Sequence, residues 1–269
     1  MESSPTTRRM QIEAEVVENR DLGPAHPDHF RLVIHSPRLA ERSRPGQFLH
    51  ILPPRSTELL RRPFSIMTAD ALRGDVTILF RVVGEGTRLL ASVAPEERLD
   101  IIGPLGNGFP IESNRPAILV GGGVGIPPLV YLAEKIEKCS IFLGAKDRRT
   151  LICVEDFSRL GISPGLATED GSVGFEGLVT EALEHAGDFD PESVVYACGP
   201  IPMLKAVARW AAARELQCRV SLENKLGCGI GACLGCSIPV RSEDGSIRYE
   251  RVCCDGPVFD AYRVAFDLM

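Results

Sequence analysis

The chain has 269 residues, 44% of them hydrophobic and 25% charged, the proportions of an ordinary globular protein with room for about two domains. A formal net charge of −6 argues against a nucleic-acid partner, which would need a basic face. No apolar run approaches the roughly 20 residues that span a bilayer, and the opening MESSPTTRRMQIEAEVVENR has no apolar stretch behind its charges, so neither a membrane partner nor a secretory signal is expected. The expected setting is cytoplasmic. In that reducing compartment nine cysteines, an odd number, are poor material for a disulfide knot.

The first third reads as short strands. FRLVIHS (30–36), QFLHILP (47–53), DVTILFRVV (75–83) and RLDIIGP (98–104) are rich in β-branched and large apolar residues, with Gly and Pro between them. Their close spacing predicts an antiparallel barrel or sandwich. RRPFSI (61–66) falls between two of these strands. Its arginines suit a bidentate grip on a pyrophosphate and Ser65 could reach a flavin ring, or the segment is an exposed turn with a solvated charge. GEGTRLLASV (84–93) reads as a helix start, with Thr87 near its N-terminus.

The character changes near Asn114. RPAILVGGGVG (115–125) is a continuous apolar run ending in glycines, as in a strand buried on both faces. IPPLVYLAEKIEK (126–138) places Ile126, Leu129, Val130, Ala133 and Ile136 at helical spacing. CSIFLGA (139–145) and SVVYACGP (193–200) read as further strands, and PMLKAVARWAAAREL (202–216) as a further helix. Alternating strand and helix predicts a parallel α/β domain. The loop from Gly123 through Gly125 to Pro128 departs from the dinucleotide fingerprint G-x-G-x-x-G at its third glycine. It is either a pyrophosphate cradle at a helix N-terminus or a plain tight turn. A second glycine-bearing strand end, ACGP (197–200), favours binding, because ligands of open α/β sheets sit outside the carboxyl ends of the strands. In GAKDRRTL (144–151), Asp147 could meet a ribose hydroxyl and Arg148 or Arg149 a 2′-phosphate, unless the loop is simply solvated.

From about Ser221 the chain is rich in cysteine and glycine. CGIGACLGC (228–236) sets Cys228, Cys233 and Cys236 at C-x4-C-x2-C, with Cys253 or Cys254 available as a fourth ligand. This is the plant-type spacing for a 2Fe–2S cluster, and Gly229, Gly231 and Gly235 let the backbone wrap closely around it. Zinc sites more often pair C-x2-C twice around one ion. A Rieske centre needs two histidines, and no histidine follows His185. Cys139, Cys153 and Cys218 read as small buried hydrophobes.

Taken in order, RRPFSI, FRVVGEGT, GPLGNGF, GGGVGIPP, CGP and CGIGACLGC…RVCCDGPVF resemble the ferredoxin–NADP reductase superfamily. Within it, the chain is most similar to the electron-transfer subunits of NAD-linked, two-subunit dihydroorotate dehydrogenases, from about Ile12 to Phe259. The resemblance implies a multidomain α/β plus β fold: an antiparallel FAD-binding β-barrel domain (1–111), a parallel α/β NAD-binding domain (112–220) and a small C-terminal 2Fe–2S cluster module (221–269). It assigns Arg62, Pro63, Phe64, Ser65, Leu79, Phe80 and Arg81 to the flavin, and Gly86 and Thr87 to a phosphate. It assigns Gly123, Val124, Gly125 and Pro128 to the pyridine nucleotide, and Cys198, Gly199 and Pro200 to the nicotinamide flank. The cluster ligands become Cys228, Cys233, Cys236 and Cys253, with Cys253 preferred over Cys254 because it aligns with the family ligand. Phe64 stands where some relatives carry a stacking tyrosine. No residue is assigned acid–base catalysis.

The implied function is transfer of electrons from a partner catalytic subunit through the 2Fe–2S cluster and FAD to NAD, in pyrimidine biosynthesis. That partner would hold flavin mononucleotide, in a heterotetramer with two copies of each chain. The alternatives are a reductase subunit for sulfide dehydrogenase, ferredoxin:NADP transhydrogenase or hydrogenase, or a zinc-stabilised binding module.

Overall fold

The computed structural model describes residues 10–55 and 60–269; residues 1–9, on which the reading of the N-terminal stretch partly rests, lie outside the described residues. The first six strands are β1 (Met10–Asp21), β2 (His29–His35), β3 (Phe48–Ile51), β4 (Arg62–Asp70), β5 (Asp75–Arg81) and β6 (Arg98–Leu105). They close an antiparallel barrel in the order β1-β2-β5-β4-β3-β6. Two-residue alternation fills its interior: in β2, Leu32 and Ile34 point inward and pack with Val16, Leu49, Ile51, Ile66, Ile78 and Ile101. Helix α1 (Pro37–Arg42) buries Leu39 and Ala40, and α2 (Glu85–Ala91) buries Leu90 in the same core.

Two barrel strands differ from the sequence reading. β1 was not expected, because its inward face offers only small Ala14 and Val16 between exposed Glu13, Glu15 and Glu18. RRPFSI does not lie between strands but opens β4, with Arg62 opposite Ile51 and Ser65 opposite Phe48. Pairing of β4 with β5 starts only at Ile66, so Pro63 sits where the strand has a neighbour on one side, a place that tolerates proline.

The second module holds β7 (Ala117–Gly122), α3 (Pro127–Ala133), β8 (Cys139–Ala145), α4 (Val154–Arg159), β9 (Gly165–Thr168), β10 (Phe175–Glu176), α5 (Val179–His185), β11 (Val194–Cys198), α6 (Ile201–Ala212) and β12 (Gln217–Ser221). The sheet runs β10-β9-β8-β7-β11-β12, all parallel. Every residue of β7 and β11 is buried, as expected for strands covered on both faces. Chain order reverses direction at β7, which has β8 on one side and β11 on the other, so the crevice of the switch point opens at the carboxyl ends of β7 and β11. Helix α3 stops at Ala133, earlier than the apolar spacing to Ile136 suggested, and leaves a turn before β8 begins at Cys139.

The tail forms a hairpin, β13 (Ser237–Arg241) with β14 (Ile247–Arg251), and then a short strand β15 (Val258–Asp260) that pairs antiparallel with β12. The tail therefore completes the nucleotide-type sheet. The barrel holds it from the other side: Asn107 N–H donates to the Gly256 carbonyl (2.7 Å), and the Asn107 side chain donates to the carbonyls of Cys254 and Asp255.

Barrel and α/β module are joined by buried polar contacts as well as by packing. Tyr131 of α3 sits in the barrel core and donates to the Ser43 carbonyl at 2.9 Å. Arg31 of β2 donates to both carboxylate oxygens of Asp156 in α4, at 2.8 and 2.7 Å, with side chains only 17% and 11% exposed. Removing one member of so shielded a pair strands the other charge. Asp156→Ala is expected to cost about 3 kcal/mol in equilibrium urea unfolding, and the double change Arg31→Met with Asp156→Leu much less than that.

Candidate functional site

Several of the segments singled out by sequence pack against one another. Arg62, Pro63, Phe64 and Ser65 open β4, and Leu79, Phe80 and Arg81 close the adjacent β5. Arg62 reaches across to the first turn of α2: a Cβ placed on Gly86 would lie 3.1 Å from Arg62 Nε. The two elements expected to hold a dinucleotide's phosphates are thus in contact. Thr87 is committed to that turn. Its hydroxyl accepts the N–H groups of Val83 (2.9 Å) and Gly84 (3.1 Å) and donates to the Gly84 carbonyl (2.9 Å). Leu79 and Phe80 are buried, and Phe80 packs between Phe30 and Phe64 with ring centroids 5.8 and 5.5 Å away. These buried residues can meet a flavin only through their backbone groups, whereas Arg62, Ser65 and Arg81 keep accessible side chains.

At the switch point, a Cβ on Gly125 would come within 2.6 Å of the Cys198 carbonyl carbon and oxygen and of the Gly199 nitrogen. Only glycine allows the loop after β7 to close on the end of β11. Gly123 has φ +54°, Val124 is exposed, and Pro128 lies in the buried first turn of α3. Burial, reinforced by the Glu223 charge, pushes the Cys198 thiol far up, so it stays protonated and is no nucleophile. The turn at Gly123–Gly125 also packs against β5, which brings the two segments expected to hold nucleotide and flavin together.

Glu223 was missed by sequence reasoning. It follows β12, the third strand to end at this edge, and only that placement signals it. Its surface is open to solvent yet protein crowds it, as in a cleft, and this desolvation pushes its carboxyl above the ordinary range. In GAKDRRTL, Asp147 caps its own turn by accepting from the Thr150 N–H and hydroxyl, and Arg148 donates to the Ser172 carbonyl.

The cysteine loop lies between β12 and β13. Gly229 and Gly231, at φ +71° and +86°, turn successive amides inward. Ile230, Ala232 and Cys233 N–H groups point at Cys228 Sγ from 3.4, 3.3 and 3.4 Å. Burial alone would raise that thiol, but these donors and the Cys233 side chain outweigh it and bring Cys228 down to about 6. Among the described residues no three His, Cys, Asp or Glu side chains converge as one ion would require. The sulfurs pair instead. Cys228 and Cys233 form an outer pair, half-exposed and exposed, while Cys236 and Cys253 form a buried inner pair in side-chain contact. Burial pushes Cys253 up, and the adjoining Cys236 adds to the effect.

Two thiols outside and two inside, wrapped by inward amides, suit a diamond of two irons and two sulfides. Cys254 adjoins this inner pair, in side-chain contact with Cys253, and its Sγ lies 2.8 Å from where a Cβ of Gly231 would stand. Arg251 braces the loop, donating to the Gly231 carbonyl (2.8 Å) and to Asp255 (2.9 Å from Nε).

Known proteins carry the same combination. A family model described as the iron–sulfur cluster binding domain of dihydroorotate dehydrogenase B matches residues 223–265, and the oxidoreductase NAD-binding domain matches residues 119–209. The dihydroorotate dehydrogenase B (NAD(+)) electron transfer subunit of Desulforamulus reducens is 37% identical over 248 residues, 90% of this chain and 94% of that protein. The subunit of the same name from Caldanaerobacter subterraneus subsp. tengcongensis is 44% identical over 227 residues, 84% of this chain and 89% of that one. The solved structure of NADH-dependent reduced ferredoxin–NADP oxidoreductase superposes with a TM-score of 0.81 at 31% identity, covering 94% of this chain and 90% of its own. The ferredoxin reductase of carbazole 1,9a-dioxygenase shares the fold, with a TM-score of 0.66 at 21% identity over 79% of this chain and 68% of its own. The chain belongs to the family of dihydroorotate dehydrogenase B electron transfer subunits, built on a ferredoxin–NADP reductase-like fold.

Proposed function

We propose that this chain carries electrons from a dihydroorotate-oxidising partner subunit to NAD, through a 2Fe–2S cluster and FAD. The observation that carries the reading is adjacency: the cysteine loop packs against β3, β3 pairs with the flavin segment of β4, and the nucleotide turn packs against β5. When bound, a flavin exchanges single electrons with an iron–sulfur centre and a hydride with nicotinamide. The protein's part is to hold the three carriers in line.

Arg62 supplies charge to the FAD pyrophosphate beside Gly86 and Thr87, and Pro63 to Ser65 with Leu79 to Arg81 line the flavin ring. Gly123, Val124, Gly125 and Pro128 receive the NAD pyrophosphate, with Cys198, Gly199 and Pro200 against the nicotinamide. Cys228, Cys233, Cys236 and Cys253 are the cluster ligands, and Cys254 is a neighbour. The partner holds flavin mononucleotide, pairs two-by-two with this chain, and docks at the exposed Ile230 and Leu234 of the cysteine loop, 40% and 63% accessible. Among the described residues no helix is long and apolar enough to cross a membrane, in keeping with a cytoplasmic complex. The 31% identical structural relative keeps open a transhydrogenase-type partner, which the reconstitution below distinguishes.

Three outcomes are expected. Cys253→Ser loses the cluster while Cys254→Ser keeps it, read as iron and acid-labile sulfide per chain, and both retain FAD. Arg62→Ala weakens FAD roughly tenfold to a hundredfold, since a hydrogen bond to a charged group contributes about 1.5–3 kcal/mol; equilibrium dialysis measures it. The isolated chain reduces a dye with NADH but leaves dihydroorotate untouched, and NAD-linked dihydroorotate oxidation appears only when a flavin-mononucleotide barrel subunit is added. A reconstituted pair that stays inactive with NAD would overturn the assignment.

A further inference from the structure

His50 lies in β3, within QFLHILP, and no motif points to it. It is fully buried. Neither ring nitrogen has a hydrogen-bond partner among the described residues. A buried polar ring without partners is costly, and an apolar residue of similar size would serve the barrel better. Its surroundings therefore bear on why it is there.

On one side His50 is registered with Pro63, inside the flavin segment. On the other it meets the cysteine loop: a Cβ on Gly229 would lie 2.4 Å from His50 Nδ1, 3.0 Å from Cε1 and 3.1 Å from Cγ. Gly229 has a positive φ and directly follows Cys228, the thiol that gathers three inward amides. The carbonyls of Arg61 and Cys228 lie within reach of the ring, although neither is aligned for a hydrogen bond. The imidazole is thus wedged between the strand that borders the flavin and the turn that presents the first cluster thiol.

We propose that His50 is a positioning residue that hydrogen-bonds to the Cys228–Gly229 turn once the cluster is in place, and so raises the cluster's reduction potential. The inference rests on the cluster reading given above. A donor to the turn fixes the direction of the amides that follow it. Amides aimed at thiolates and sulfides stabilise the additional negative charge of the reduced centre.

The test compares cofactor-loaded wild type, His50→Leu and His50→Asn at one pH. Iron, acid-labile sulfide and FAD are counted, and the cluster is titrated against potential by electron paramagnetic resonance. His50→Leu is expected to retain iron and FAD while the reduced-to-oxidised ratio at a given poise falls roughly tenfold, about 59 mV for one electron. His50→Asn, whose amide donates from near the Nδ1 position, is expected to recover most of the shift. An unchanged potential in His50→Leu overturns the proposal, and so does a shift that asparagine leaves uncorrected. If His50→Leu holds no iron, retention of the cluster by His50→Asn supports the donor role, and loss in both variants overturns it in favour of ring shape. A wild-type protein without iron and acid-labile sulfide would overturn the cluster reading itself, and this role with it.

Discussion

The placement of every candidate cofactor group depends on one return of the chain. After leaving the sheet at β12, the tail makes its cysteine loop and hairpin and then comes back as β15 to hydrogen-bond β12. Leu222 N–H donates to the Pro257 carbonyl at 2.9 Å, which draws the start and the end of this excursion together. The barrel closes the same junction, with a Cβ on Gly106 falling 2.4 Å from Pro257 Cδ. A loop tied at both ends to two different modules cannot drift from either. Its thiols are therefore held beside β3 and the start of β4, as the electron path proposed above requires.

The same residue type takes opposite electrostatic characters within this frame. Cys153, Cys198 and Cys218 sit among apolar side chains, and burial pushes all three thiols up, Cys218 to about 12. Cys228 lies only a few residues beyond β12, yet oriented amides reverse the sign of its shift. The glycines make that difference, because positive φ at Gly229 and Gly231 lets neighbouring N–H groups face one sulfur. Cysteine content alone says nothing of this distinction, whereas spacing and intervening residues say a great deal.

What was legible in the sequence follows from how local each signal is. The buried parallel strands announced themselves as apolar runs, and β7 and β11 lie where AILVGG and VVYAC suggested. The glycine loop and CGP were recognisable, and their mutual contact at Gly125 and Cys198 agrees with ends of adjacent strands. β1 was hidden, since a strand with one solvated face and small inward residues has a diluted pattern. β4 was hidden by a proline that its one-sided start accommodates. His50 and Glu223 carried no motif at all. Each matters through what another segment brings beside it, and no local window contains that partner.

The lengths of the outermost strands carry a consequence for how the molecule associates. The seven-stranded sheet ends in β10, two residues long, and β15, three residues long, and the barrel closes on itself. Among the described residues neither body ends in a long unpaired strand, and β14, the free side of the hairpin, carries Arg248, Glu250 and Arg251 beside the exposed Ile247 and Tyr249. Short outer strands and charged side chains disfavour strand-by-strand self-association at these margins. Complex formation is left to side chains and loop surfaces, which can be selective in a way that a bare backbone ladder cannot.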